Sequence, residues 1–117
     1  MPHDLVLRVR RALGDHPVTE QKMFGGVCFM LNGNMLVGAS PRGLMVRTGR
    51  DAYAAALGRP HVLPMRLGQR EMPGYVVVAP QGVAGEHDLA GWLALALAFV
   101  GTLPPKAKDT KPRRRPL

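Results

Sequence analysis

The stretch "MFGGVCFMLNGNMLVG", residues 23 to 38, constrains this chain more than any other. Two apolar runs flank Asn32 and Gly33, and both residue types accept the positive φ that a two-residue hairpin turn demands. A chain with such a hairpin must build an antiparallel sheet around it. From Lys22 to Leu31, Val27, Phe29 and Leu31 alternate with Cys28 and Met30, and Gly25-Gly26 interrupts the pattern. Met35 to Ala39 is the return strand, "SPRG" turns again, and Leu44 to Arg47 is a third strand, which completes a three-stranded meander. Both faces of these strands are apolar, so both are expected to be covered, by helices on one side and a partner chain on the other.

The flanking segments supply helices. In "DLVLRVRRALG" Leu5, Val9, Ala12 and Leu13 recur at helical spacing, with Asp4 as N-cap, Gly14 beyond the C-terminus and Pro17 blocking continuation. A short alanine-rich helix is predicted from Arg50 to Leu57, ended by Gly58 and Pro60. A weak strand near Met65, a turn at Gly68-Gln69 and a strong strand at Tyr75 to Ala79 come next. The segment from Gly85 to Leu103 holds a last helix with Leu89, Trp92, Leu93, Ala96 and Val100 on one stripe. Leu95, Leu97 and Phe99 lie off it, so this helix is apolar nearly all round and should be heavily buried. The expected fold class is α+β, with the C-terminal helix packed on a curved sheet.

The 117 residues suit one domain, and 46% apolar content is globular. We place that domain at residues 1–105 and a basic tail without apolar periodicity at 106–117. The tail sets Lys106, Lys108, Lys111, Arg113, Arg114 and Arg115 against Asp109, which is +5 of the net +8 and leaves +3 for the body. The body is therefore only mildly basic, and the tail alone is a candidate for phosphate contact. The single cysteine excludes an intrachain disulfide and favours a reducing cytoplasm. No signal peptide is visible, and the apolar run Leu89 to Val100 is too short for a bilayer, which takes about 20 residues.

Candidate chemistry is sparse. Met23, Cys28, Met30 and Met35 could offer soft ligands to Cu(I), but no regular ligand spacing exists, and methionine ordinarily fills irregular cores. Cys28 lies mid-strand among apolar neighbours, where a thiol behaves as a small hydrophobe. Gly25-Gly26 does not precede a helix, as a phosphate loop would; a β-bulge or a close backbone approach is the expected role. The four histidines never pair at ligand spacing, and the only serine, Ser40, sits before Pro41 in a turn. No catalytic constellation, metal or cofactor is expected. Arg47, Arg59, Arg66 and Arg70 remain as candidates for an anionic contact.

The order of motifs adds to this. "KMFGGVCFMLNGNMLVG", then "LMVRTGRDAYAAALGRPH", then "MPGYVVVAP" before a Trp-bearing helix, resembles the N-terminal domain family of the TfoX/Sxy competence regulators over residues 3 to 105. The resemblance implies a small α+β domain and makes Met23, Phe24, Gly25, Gly26, Asn32 and Gly33 a structural signature. It implies a single-domain member lacking the helical second domain of the namesake proteins. The expected function is a non-enzymatic regulatory or protein-interaction module, a homodimer with an unidentified protein partner and no membrane contact. The alternative is a weak, non-specific nucleic-acid binder acting through the tail. Residues proposed to meet an anion or partner are Arg47, Arg66, Arg70, Lys111, Arg113, Arg114 and Arg115.

Overall fold

The computed structural model describes residues 2–23 and 25–104. The elements run α1 (Pro2–Leu13), β1 (Val18–Met23), β2 (Gly26–Leu31), β3 (Asn34–Ser40), β4 (Gly43–Arg47), α2 (Arg50–Leu57), β5 (Val62–Leu67), β6 (Arg70–Val78) and α3 (Glu86–Val100), with a single-turn 3-10 helix at Pro80–Val83. All six strands join one antiparallel sheet in the order β1-β2-β3-β4-β6-β5. The first four follow chain order as a meander; the β5–β6 hairpin then inserts the later strand beside β4.

The expected α+β fold holds, with one strand added. β1 carries the sequence VTEQKM, and Val18 packs against the core while Thr19, Glu20, Gln21 and Lys22 are exposed. Its polar outer positions suit an edge strand and hide its periodicity. That strand moves the two glycines. Gly25 lies in the turn between β1 and β2 at φ 76, and Gly26 opens β2, so no bulge exists there. The close approach is real: a Cβ on Gly26 would stand 2.0 Å from the Ala39 carbonyl oxygen. The one irregularity of the β2–β3 pairing falls at Phe29/Met30, where Leu36 is the extra residue, and both Leu36 and Val37 are fully buried. Asn32 and Gly33 take φ 53 and 82, both positive, as a two-residue hairpin requires.

α1 begins at Pro2, which places Asp4 inside its first turn rather than at the cap; proline suits an opening turn because its missing N–H would have no partner there. Leu5, Val9 and Leu13 face the core, Ala12 is exposed, and Gly14 ends the helix at φ 55. α2 occupies the expected residues, and α3 buries the expected stripe of Leu89, Trp92, Leu93, Ala96 and Val100. Leu95, Leu97 and Phe99 pack partly against the same cluster.

One side of the sheet supplies Phe29, Leu31, Val37, Ala39, Leu44, Val46, Val76 and Val78 to that cluster, together with residues of all three helices. Burying such a side chain contributes about 1.5–3 kcal/mol, so this face is the main source of stability. Among the described residues the cluster contains no methionine and no cysteine. The expectation that the methionines fill the main core is therefore corrected: Met45 and Cys28 are buried outside that cluster, on the opposite side of their strands.

Candidate functional site

β4 ends at Arg47, and the chain passes through Thr48 and Gly49 into α2. One carbonyl locks this junction. The Gly74 oxygen accepts from the Thr48 amide (2.8 Å) and the Gly49 amide (3.1 Å). The Thr48 hydroxyl lies 3.1 Å from the same oxygen and 2.9 Å from the Gly49 carbonyl, with one proton to give. Thr48 is 2% exposed, so these bonds are sheltered from water. Gly49 has φ 80, and a Cβ there would come within 2.5 Å of the Phe99 ring. Bare backbone is what lets the end of α3 seat an aromatic ring on the junction.

The ring meets an arginine. Arg47 and Tyr75 are register partners on β4 and β6, and the Arg47 guanidinium lies 5.4 Å from the Tyr75 ring centroid and 5.8 Å from that of Phe99. It also donates to the Met35 carbonyl at 3.4 Å. Such cation–π contacts are worth about 0.5–2 kcal/mol each, depending on exposure, and they hold a normally floppy side chain in one place. Arg50 and Arg70 stand with Arg47 around a cleft of about 750 Å³ that Tyr75, Phe99 and Glu71 also line. Among the described residues the ion pairs are Arg8–Glu86 (2.8 Å), Arg10–Glu20 (2.7 Å) and Arg66–Glu71 (3.5 Å). None involves Arg47, Arg50 or Arg70, and the one carboxylate of the cleft faces Arg66. The cleft is a cluster of cations whose charge no ion pair among the described residues neutralises.

Of the arginines singled out in the sequence, Arg47 and Arg70 come together here. Arg66 lies across the Gly68-Gln69 turn and lines a different hollow. Arg59 stacks on Trp92 at 4.1 Å and so braces α3. Lys111, Arg113, Arg114, Arg115 and Phe24 lie outside the described residues. Sequence reasoning missed Arg50, Tyr75 and Phe99. Only Tyr75 left a signal: its alternation with Val76 and Val78 puts it on the side of the strand opposite the core.

That opposite side forms the second hollow, about 510 Å³, with Cys28, Gly38, Met45 and Val77 as floor, Leu63 and Met65 as wall, and Arg42 and Arg66 at the rim. Burial pushes the Cys28 thiol above its ordinary range, away from thiolate reactivity. Among the described residues no group of three or more His, Cys, Asp or Glu could hold a metal ion, and no helix is long and apolar enough to cross a membrane.

Comparison with known proteins now adds a family. The model for the TfoX N-terminal domain matches residues 11–100, most of the chain. The chain belongs to the TfoX N-terminal domain family. No curated protein and no solved structure matches it at a significant level. Within this TfoX domain the matched span runs from the end of α1 to the end of α3 and takes in both hollows. The hairpin residues of the family-like stretch have architectural places: Gly25 in a turn, Gly26 under the Ala39 carbonyl, Asn32-Gly33 in the β2–β3 turn, and Met23 ending β1 opposite Gly26.

Proposed function

We propose that this TfoX-family domain is a non-catalytic regulatory module that works by protein contact, and that the Arg47–Arg50–Arg70 cleft receives an acidic segment of its partner. One observation supports the reading above the others: Arg47 is stacked against two rings and takes part in none of the ion pairs among the described residues. Such a cation is pre-organised, so little side-chain entropy remains to be lost when a carboxylate arrives. Arginine offers two parallel N–H donors to a carboxylate, and arginine and tyrosine are among the residues that dominate binding energy at interfaces. A family of competence regulators fits this kind of module. The second reading, weak nucleic-acid contact through residues 106–117, is favoured by the six basic residues gathered there.

Fluorescence anisotropy with a labelled poly-glutamate peptide, against a poly-glutamine control, tests the cleft. The double variant Arg50→Glu/Arg70→Glu changes two exposed residues and leaves the core intact. Peptide affinity should fall by about tenfold or more, and removal of residues 106–117 should leave most of it in place. Peptide binding unchanged by the double variant would overturn the cleft. Loss on tail removal, together with duplex DNA binding whose log–log salt slope is about −0.9 per phosphate, would favour the second reading instead.

A further inference from the structure

The hollow on the side of the sheet that none of the described helices covers has no part in that reading, and its chemistry differs. Its lining comes from β2, β3, β4, β6 and β5, so the sheet curves enough for Leu63 and Met65 of the edge strand to stand over a floor that reaches back to Cys28. Gly38 keeps the floor deep: a Cβ there would lie 3.3 Å from both the Cys28 sulfur and the Met45 terminal methyl. Leu63 is 62% exposed, against 49% for Leu7 on α1. The register shift between Pro64 and Arg66 falls at Met65, in the wall itself. An exposed apolar concavity of this kind marks a contact surface, and about 300–1,000 Å³ is the size range of small-ligand sites.

The rim says what kind of ligand fits. Arg42, in the β3–β4 turn, belongs to none of the ion pairs among the described residues. Arg66 meets Glu71 only at 3.5 Å, with the two side chains 55% and 48% exposed, so water and a better acceptor both compete for it. A second copy seated across a two-fold axis would bring arginine rim against arginine rim. A nucleic acid would need stacking rings, and among the described residues no aromatic lines the hollow. An apolar trough with cations at its mouth matches a molecule with an apolar body and one acidic head.

We infer that this face binds a small amphipathic carboxylate, its apolar body over Met45, Val77 and Met65 and its carboxylate at Arg42 and Arg66. The thioethers suit such a ligand because their unbranched, polarisable chains reshape around different apolar bodies.

Decanoate is a usable probe and decanol its uncharged counterpart. With the full chain carrying 13C-methyl methionine, decanoate should shift the Met45 and Met65 methyl signals saturably at one per chain. Met72, which lines the arginine cleft, should stay in place. By calorimetry decanol should bind about tenfold more weakly, and Arg42→Glu should weaken decanoate by a similar factor. Leu63→Gln, at an exposed position, should weaken both probes and serves if Arg42→Glu does not fold. Equal affinity for decanol, binding untouched by both variants, or unsaturable shifts of every methionine would overturn the inference. So would a dimer in sedimentation that decanoate neither enters nor dissociates, since a second copy would then occupy the face.

Discussion

The two faces of the sheet come from the same strands and differ in kind. Toward the helices stand Phe29, Leu36, Leu44, Val46, Val76 and Val78, all with no exposed surface. Away from them stand Cys28, Met45, Met65, Val77 and Leu63 around an open hollow. Branched and aromatic side chains have few rotamers, so they fix one arrangement where helices press on them. Thioethers adapt, and they gather where none of the described helices packs. The contrast teaches that alternation in an apolar strand does not reveal which face carries stability and which is free for contact; the type of apolar residue does.

The largest effect that can break this comparison comes from truncating one residue on each face. Phe29→Ala leaves a closed cavity under the helices and should cost about 3–5 kcal/mol. Met45→Ala opens into a hollow that solvent already reaches, so only transfer energy is lost, about 1.5–2.5 kcal/mol. Urea denaturation with matched m-values measures both. Equal losses would mean that the two faces contribute alike.

The helix-covered face was largely legible in the sequence. α2 is bracketed by Gly49, Gly58 and Pro60, and the α3 stripe from Leu89 to Val100 follows the helical period, so local signals sufficed. The Asn32-Gly33 turn has one cheap conformation, and it fixed the β2–β3 pairing. What escaped was non-local. β6 pairs with β4 across an intervening helix and strand, and that pairing alone sets Tyr75 beside Arg47 and brings Arg70 to the same cleft. No periodicity encodes it. β1 escaped because an edge strand whose Val18 is followed by four polar residues, Thr19 to Lys22, carries little apolar alternation. The methionines were placed in the core because residue type was weighed without knowing which face the helices cover.

A comparison along the strand is sharper still, because it sets two adjacent glycines against each other. Gly26→Val would drive a side chain into the Ala39 carbonyl and the Ser40 Cβ, 2.0 and 2.8 Å from the new Cβ. Backbone must move between β2 and β3, at a cost of about 3 kcal/mol. Gly25→Ala meets nothing within 4 Å, and only its φ of 76 opposes it, so about 1 kcal/mol is expected. Thermal unfolding of the two variants side by side checks the order. A reversed order would show that the turn, and not the strand contact, requires glycine.

The smallest effect lies at the sheet's edge, where neither face protects the structure. β1 packs Val18 against the core, and it is tied to α1 by Arg10, whose two nitrogens donate to the Glu20 carboxylate at 2.7 and 2.8 Å. That hydrogen bonding, with a smaller contribution from charge, holds the Glu20 pKa below its ordinary 4.5, while slight burial opposes it. The carboxylate is thus more acidic folded than unfolded, so its contribution is fully present above about 4.5 and is lost as pH falls through the lower folded value. Arg10 is raised by the same contact and stays charged throughout. Glu20→Gln should therefore melt slightly below the native chain at pH 7, and the gap should close as pH drops below the ordinary glutamate range. Salt should narrow it as well, because the pair is exposed. A gap that persists unchanged at low pH would assign the edge to packing and backbone pairing instead of charge, and would make β1 an extension of the helix-covered face.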